Sequence, residues 1–434
     1  MASMPLPAEY ELRHILANEV HARPPTPLRA PERAAHFALI VEESDREKEL
    51  AALEALGARL GVPVTRPPSN HLFVDFGAFR LKWERHTEIT EYTFFCRAQG
   101  EGGPLLGVPG DWLSALPGKM LVAAWLDFVA ADSERPDVEQ VRKRLGARPL
   151  IGAAIEGGAA WAFTDLLVHP DGFSRFLVID RSLREEQAGR LVQRLLEIEV
   201  YRMAALLAFP LAKTLSALLG EREQRLARLT AELKDVPESR SADDDARLLA
   251  SLGALAAEVE ESLAASSFRF SASRAYYELV RRRITELREE RLPGVQTLAE
   301  FMERRLAPAM ATCEAVMRRH EELSERVARA SQLLRTRVEV AREEQNQALL
   351  ASMNRRAKLQ LRLQQTVEGL SIAAITYYGA GIVAYLAKAA RSAGMPIDAD
   401  LAAAASIPLV ALLVWAGLRR LRREIARTAE MPSL

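Results

Sequence analysis

Two long apolar runs near the end of the chain dominate its pattern of hydrophobic and polar positions. The first, Val367 to Ala387, contains one charged residue, Glu368, close to its start. The second, Leu401 to Leu418, contains none. Each run has roughly 20 residues, which is enough for a helix to cross the hydrocarbon core of a bilayer. The pattern therefore predicts a transmembrane hairpin with a short loop between its two helices.

The first 180 residues carry shorter apolar or alternating runs, rich in aromatic and β-branched residues and separated by turn residues. Such runs are typical of strands. The predicted strands are 36–41, 72–76, 79–85, 91–97, 150–155, 160–168 and 173–179, and the predicted helices are 7–22, 45–60 and 111–131. Runs of strands interrupted by a few helices predict an α+β domain that ends near Asp180.

No strand pattern follows Asp180, and the rest of the chain predicts long helices. One helix is predicted over 182–233 with a kink at Pro210, and a second over 246–291, with an aspartate run as its start. A break at Pro293-Gly294 and a short helix to Ala307 follow, and Pro308 then marks the start or a kink of the last helix.

The last helix has the strongest periodicity in the sequence. Its mostly apolar positions recur every three or four residues, and they include Cys313, Val316, His320, Leu323, Val327, Ala330, Leu334, Val338, Ala341, Gln345, Leu349, Met353, Leu359, Leu363, Val367 and Leu370. A stripe of this kind needs partner helices along its length. We therefore expect it to pack against the two preceding helices and against other copies of the chain.

The fold class predicted from these patterns is an α+β cytosolic domain, followed by long antiparallel stalk helices and a C-terminal two-helix transmembrane hairpin. The predicted segments are a signature helix with a Pro-rich connector at 1–34, the α+β domain at 35–181, the stalk at 182–366, the hairpin at 367–418 and a basic tail at 419–434.

Composition narrows the classes of function. The chain has 58 basic and 58 acidic residues, so its net charge predicts no nucleic-acid partner. Cys96 and Cys313 are too few and too far apart for a disulfide framework or a zinc site. The N-terminus lacks the apolar core of a signal peptide, so membrane insertion is expected to come from the hairpin. Phosphate-binding glycine loops and nucleophile elbows are missing from the sequence, which predicts no enzyme and no cofactor.

Two resemblances add to this reading. The stretch from Leu16 to Pro25, with its N-E-V-H-A-R-P string, together with Tyr377-Tyr378, resembles an uncharacterised bacterial family of predicted membrane-anchored proteins. The order of the predicted elements is similar to that of CorA-type divalent cation channels. That likeness implies a homo-oligomer, a pentamer in those channels, whose first membrane helices line a pore.

The outer loop is where the sequence departs from the CorA-type pattern. Those channels carry a Gly-Met-Asn signature at the outer end of the first span. Here the nearest string is Gly394-Met395-Pro396, followed by Asp398 and Asp400. Pro396 has no side-chain amide to hold a hydrated ion, and Lys388 adds a positive charge before the loop.

Polar residues within the first run are candidates for lining a pore. Ser371, Tyr378 and Tyr385 are seven residues apart and share one helix face, with Gly381 close by. The alternative is that Tyr385 belongs to an interfacial aromatic belt and that Tyr378 hydrogen-bonds a neighbouring helix.

The N-terminal signature offers a second candidate site, at Asn18, Glu19, His21 and Arg23. His14 and His21 lie on one face of the predicted helix, so a divalent metal is one hypothesis for this face. The competing hypothesis is that Asn18, His21 and Arg23 dock the helix through hydrogen bonds and ion pairs.

Basic residues flank both apolar runs. Arg355, Arg356, Lys358 and Arg362 precede the first, and Arg419, Arg420, Arg422, Arg423 and Arg427 follow the second. This distribution predicts that both termini face the cytoplasm, in a bacterial inner membrane, with the arginines near anionic lipid. The sequence leaves two functions open: a divergent CorA-like ion-conducting oligomer, or a membrane-anchored scaffold or sensor without transport activity.

Overall fold

The structure is a computed structural model of the 434-residue chain. It describes residues 7–14, 16–17, 24–66, 70–97, 105, 107–147, 149–234, 242–393 and 398–429. The chain forms two compact units, Met1–Gln332 and Leu333–Leu434. An N-terminal mixed sheet with helices is followed by long helices and a C-terminal apolar helix, as the hydrophobic pattern predicts.

A nine-stranded mixed sheet forms the centre of the first unit. Its strands are β1 (Glu32–Ile40), β2 (His71–Asp75), β3 (Arg80–Arg85), β4 (Ile89–Arg97), β5 (Lys119–Ala130), β6 (Ile151–Ile155), β7 (Ala160–Thr164), β8 (Ser174–Asp180) and β9 (Glu290–Arg291). They are ordered β2-β3-β4-β1-β5-β8-β7-β6-β9. β5 and β8 pair in parallel, and the other neighbours are antiparallel.

Among the described residues, three short α-helices lie along the sheet-forming part of the chain, and five longer ones follow. The short helices are α1 (Arg46–Leu60), α2 (Gly110–Ser114) and α3 (Val138–Leu145). The longer ones are α4 (Glu185–Leu206), α5 (Ala208–Lys234), α6 (Ala242–Leu287), α7 (Leu298–Ser392) and α8 (Ala399–Ala429). α7 is 95 residues long and continues from the first unit into the second.

One face of the sheet is apolar because alternate side chains of β1, β3 and β4 point to it. Leu81, Trp83 and Phe94 from these strands pack with Leu53 and Leu56 of α1 in a single buried cluster. Glu49 of α1 is the polar exception in this layer. Its carboxylate accepts hydrogen bonds from Arg85 (2.6 Å), Tyr92 (3.1 Å) and Trp83 (3.4 Å), which satisfies it in the absence of water.

α4 covers the opposite face of the sheet. Its buried positions, Leu191, Val192, Leu195 and Ile198 among them, follow the helical period. Gly189 allows the close approach of the N-terminal connector, because a Cβ at this position would lie 2.1 Å from the carbonyl oxygen of Thr26. A side chain at position 189 would therefore force the helix and the connector apart.

The prediction of a single helix over residues 111–131 is wrong. This segment forms the short α2 and then β5, a 12-residue strand between β1 and β8. Residues 120–130 of this strand are apolar apart from Asp127, so its sequence does not alternate. Such a run cannot be distinguished from a buried helix by its period alone.

Other boundaries also differ from the prediction. β9 is a strand after Asp180, where none was expected, and α6 ends at Leu287 instead of reaching Arg291. α3 is a further helix that the sequence pattern did not indicate. The strand predicted over 160–168 ends at Thr164. Within the predicted helix 7–22, residues 7–10 are not helical, and helical backbone is described only at 13–14 and 16–17.

A proline explains one helix boundary, and capping side chains explain another. The helical run predicted over 182–233 is divided at Leu207, and Pro210 lies in the first turn of α5, where a missing N–H is tolerated. Pro308, in contrast, lies inside α7 and does not begin it. α7 begins at Leu298, where Thr297 and Glu300 form a reciprocal capping box and Glu289 accepts two further backbone N–H groups.

The apolar stripe of α7 is buried along only part of its length. Its seven positions from Cys313 to Leu334 are all buried. In the second unit, the stripe positions from Leu349 to Leu370 are exposed, with Leu363 at 68% and Leu370 at 74%. The described part of the chain therefore covers the first half of the stripe and leaves the second half uncovered.

Three helical segments are long and apolar enough to cross a membrane by length and composition: Glu185–Leu233, Leu298–Ser392 and Asp400–Arg420. The first of these was not predicted from the sequence. Its apolar residues, from Leu191 to Leu219, are used for packing within the first unit. The other two contain the two apolar runs that predicted the hairpin.

Candidate functional site

The end of α7 and α8 pack through a face of small residues. Thr376, Ala380 and Ala387 of α7 are buried, and a Cβ on Gly379 would lie 2.8 Å from Cγ1 of Val410 in α8. Small residues of this kind allow two helices to approach closely in a membrane. This contact defines the inner side of the helical hairpin in the second unit.

The predicted pore-lining residues lie elsewhere on α7. Tyr378 and Tyr385 are exposed, at 70% and 77%, and Ser371 is exposed with its hydroxyl donating to the carbonyl of Val367 at 2.9 Å. Gly381 has open space where a Cβ would be. The structure therefore leaves the side chains of Ser371, Tyr378 and Tyr385 largely exposed, so that face is available to lipid or to another chain.

The outer-loop candidates divide into two groups. Gly394 and Met395 lie outside the described residues. Asp398 accepts hydrogen bonds from the backbone N–H groups of Asp400 and Leu401, at 3.0 and 3.4 Å, and so caps the N-terminus of α8. Asp400 lies in the first turn of the same helix, where a carboxylate is favourable to the helix dipole. Both aspartates thus have a local structural role.

The N-terminal signature residues Asn18, Glu19, His21 and Arg23 lie outside the described residues. His14 is described, and its Nε2 lies 2.8 Å from Glu9, within an exposed pair. Over the described ranges, no group of three or more His, Cys, Asp or Glu side chains could hold a metal ion.

A set of charged and neutral polar side chains lies beneath α4, on the face of the sheet opposite the apolar cluster. We name it the buried polar cluster, and it comprises His36 of β1, Lys82 and Glu84 of β3, Glu91 and Thr93 of β4, and Gln193 and Glu197 of α4. Glu84 and Glu91 are direct partners across β3 and β4. Two carboxylates in that position repel each other unless nearby groups compensate their charge.

Basic groups supply this compensation. Lys82 Nζ lies 3.0 Å from Glu84, and His86 Nε2 lies 3.5 Å from Glu91. Lys82 also contacts the side-chain oxygen of Gln193 at 3.4 Å, and Gln193 donates to Glu197 at 2.7 Å. The polar contacts therefore run from the sheet into α4.

The network continues from α4 into α6. Arg283 of α6 donates to Glu197, and it also pairs with Glu286 at 2.9 Å. Glu88, at the β3–β4 turn, receives a two-point contact from Arg269 of α6 at 2.6 and 3.1 Å. The charges thus join three layers, the sheet, α4 and α6, through geometrically specific contacts.

Burial changes the protonation of groups in and near the cluster. Desolvation, together with Lys82 and His86, lowers the pKa of His36 to about 3, so its imidazole is neutral at neutral pH. Desolvation and the nearby Glu197 raise the pKa of Tyr201 above its usual range. The cluster therefore combines the neutral imidazole of His36 with paired charges, and the phenol of Tyr201 lies near it.

Sequence reasoning missed the buried polar cluster. The residues Lys82 and Glu84, like Glu91 and Thr93, alternate with apolar residues, and this pattern indicates a strand with one face in water. The available signal was the density of charge on neighbouring predicted strands, combined with an amphipathic helix after the last of them whose apolar stripe needs a surface to cover. That helix, α4, covers the face and turns it into an interior.

These features define the class of the protein: an α+β unit with a mixed sheet and a buried charged layer, joined to long helices of which two, beyond those packed on the sheet, could cross a membrane. Residues 8–425 match the family described as "Protein of unknown function (DUF3422)". The chain belongs to this family, which covers nearly its whole length. No curated protein matches the sequence.

Proposed function

We propose that the protein is an integral inner-membrane homo-oligomer in a bacterium, anchored by α7 and α8, with both termini in the cytoplasm. The two candidate spans and the basic residues that flank them support this arrangement. Arg419, stacked 4.8 Å from the ring of Trp415, provides an amphipathic anchor where α8 leaves the predicted span. The proposal includes no catalytic step.

The oligomer proposed here conducts ions, as a divergent relative of the CorA-type channels that the order of elements resembles. The observation that carries this proposal is the orientation of Ser371, Tyr378 and Tyr385, on a face of α7 that α8 leaves uncovered. Hydroxyl groups in a membrane-spanning helix are expected to face a partner or a water-filled path instead of lipid. In a ring of copies, this face would line the central path.

The uncovered half of the α7 stripe supports assembly into more than one copy. The positions from Leu349 to Leu370 lie in the second unit, where the described residues leave large apolar side chains in solvent. Exposed apolar surface of this extent marks an interaction site. Five copies are proposed, because that number follows from the CorA-type layout.

The alternative is a membrane-anchored scaffold or sensor with no transport activity. The observation that favours it is the buried polar cluster, which joins the sheet to α4 and α6 at a distance in sequence from the candidate spans. A partner that changed these contacts would act on the helices directly. In this case the hairpin only holds the protein at the membrane.

The mass of the detergent-purified complex tests the first proposal. Native mass spectrometry is expected to give about five times the 48.1 kDa of the chain. A monomer or dimer would rule out a pore of this kind, because so few copies cannot surround a path, and it would favour the scaffold or sensor.

Divalent-cation flux into liposomes tests the ion path itself. Tyr378→Phe removes a hydroxyl from the proposed pore face, and Tyr377→Phe removes one from the neighbouring position, about 100° away around the helix. We expect Mg²⁺ entry with the wild-type protein, a changed rate for Tyr378→Phe and the wild-type rate for Tyr377→Phe. Equal rates for liposomes with and without protein would contradict transport.

A further inference from the structure

One nitrogen of the buried polar cluster has no hydrogen-bond partner among the described residues. His36 is 1% exposed, and its Nδ1 lies 2.8 Å from Oγ1 of Thr93, while its Nε2 is unsatisfied. The nearest carboxylate oxygen, on Glu91, is 3.7 Å from Nε2, which is too far for a hydrogen bond. A buried polar atom left in this state is costly unless something else satisfies it.

His36 also lines a small cavity between the sheet and α4. His36, Lys82, Glu84, Glu91 and Glu197 are among its lining residues, and its volume is about 20 Å³. A water molecule needs roughly 10–15 Å³, so the cavity has room for one.

The chemistry of the lining also suits water. A buried water usually makes about three hydrogen bonds, to both donors and acceptors. The lining offers the amine of Lys82 as a donor and the carboxylates of Glu84 and Glu91 as acceptors. The role of His36 Nε2 depends on its tautomer, because the Thr93 hydroxyl can either donate to Nδ1 or accept from it. Either tautomer leaves Nε2 able to bond to water.

We propose that this cavity is a specific site for one water molecule, which hydrogen-bonds His36 Nε2 and bridges it to the charged side chains beneath α4. The water joins residues of β1, β3 and β4 to one another at the surface that α4 covers. Its role is to satisfy the neutral imidazole and to complete the polar layer on which α4 lies. The inference does not depend on the transport proposal.

A structure of the full-length detergent complex, at a resolution where ordered waters are visible (about 2 Å), tests the site. We expect a water peak about 2.6–3.2 Å from His36 Nε2 and within hydrogen-bond distance of at least one charged lining residue. A direct bond between Nε2 and Glu91, with no water between them, would overturn the proposal.

Two variants test whether His36 holds the water. His36→Gln ends in an amide that can replace Nε2, so the water peak is expected to remain. His36→Leu offers no polar atom, and the peak is expected to disappear. A peak that persists in His36→Leu would show that the water does not depend on position 36 and would contradict the assigned role. If His36→Leu does not fold, the wild-type map and the His36→Gln map still decide the outcome.

Discussion

The burial of His36 has a consequence for the pH dependence of stability. Its pKa is about 3 in the folded protein, against an ordinary value of 6.5. The unfolded chain therefore binds a proton that the folded chain does not accept until the pH is much lower. The contribution of His36 to the free energy of unfolding is fully present above about pH 6.5, and it is lost progressively as the pH falls towards 3.

The size of this effect follows from the two pKa values. One pKa unit corresponds to about 1.4 kcal/mol, so lowering the pH from about 7.5 to 5 removes about 2 kcal/mol from the free energy of unfolding through His36 alone. His36→Gln has no imidazole at this position and cannot lose this contribution. We therefore expect the wild type to lose about 2 kcal/mol more than His36→Gln over the same pH interval.

Urea unfolding followed by tryptophan fluorescence measures this difference. Four of the five tryptophans, Trp83, Trp112, Trp125 and Trp161, lie in the first unit and report on it. Other groups with shifted pKa values, such as the buried His320 of α7, contribute equally to both proteins and cancel in the comparison.

Thr93→Val is the matched control for this measurement. It removes the hydroxyl that contacts Nδ1 and keeps the buried imidazole, so it is expected to keep most of the wild-type pH dependence. The reasoning would be refuted if the wild type and His36→Gln lost the same stability between the two pH values. That result would mean that His36 takes up its proton without leaving the folded state.

Three further predictions concern packing. Leu323→Ala, at a fully buried stripe position of α7, is expected to lower the free energy of unfolding in urea by about 2–5 kcal/mol. Leu349 is exposed, so Leu349→Ala is expected to change that free energy by less than about 0.5 kcal/mol and to weaken only the oligomer, as seen by native mass spectrometry. Gly379→Ala is expected to loosen the hairpin, because its Cβ would clash with Val410 of α8. Faster crosslinking or proteolysis of the hairpin measures this change. Gly381→Ala places its Cβ in open space, so it serves as the control and is expected to behave like the wild type. Glu49→Ala is expected to cost about 3 kcal/mol or more in urea unfolding, because it removes the buried carboxylate that pairs with Arg85 and accepts the hydroxyl of Tyr92. A change below about 1 kcal/mol would contradict that account.

Much of the secondary structure follows from local pattern. The hairpin helices contain roughly twenty apolar residues each, and only a membrane or a deep interior accommodates such runs. The antiparallel strands β2, β3 and β4 were predicted within a residue or two, because alternation reports directly on a sheet with two different faces. The candidate residues Ser371, Tyr378 and Tyr385 share one face because helical spacing alone places them there.

The errors arise where a neighbour in space, rather than local pattern, decides the outcome. β5 lies between β1 and β8, and its residues 120–130 are apolar apart from Asp127, so no alternation distinguishes it from a helix. β9 has two residues and forms only because the edge of β6 is available for pairing. Neither feature leaves a periodicity that can be recognised before the sheet is assembled.

The sequence by itself determined the helical stripe of α7, the apolar spans and the alternation of the strands, since each is a local arrangement of apolar residues. Only the tertiary structure decided where that stripe loses its partners, beyond Leu334, and which face of the sheet becomes an interior. Lys82, Glu84 and Glu91 occupy positions that alternation assigns to solvent, and α4 closes over them. The physical reason is that a side chain is buried only when a second surface packs over it, and a local sequence pattern describes only the first surface.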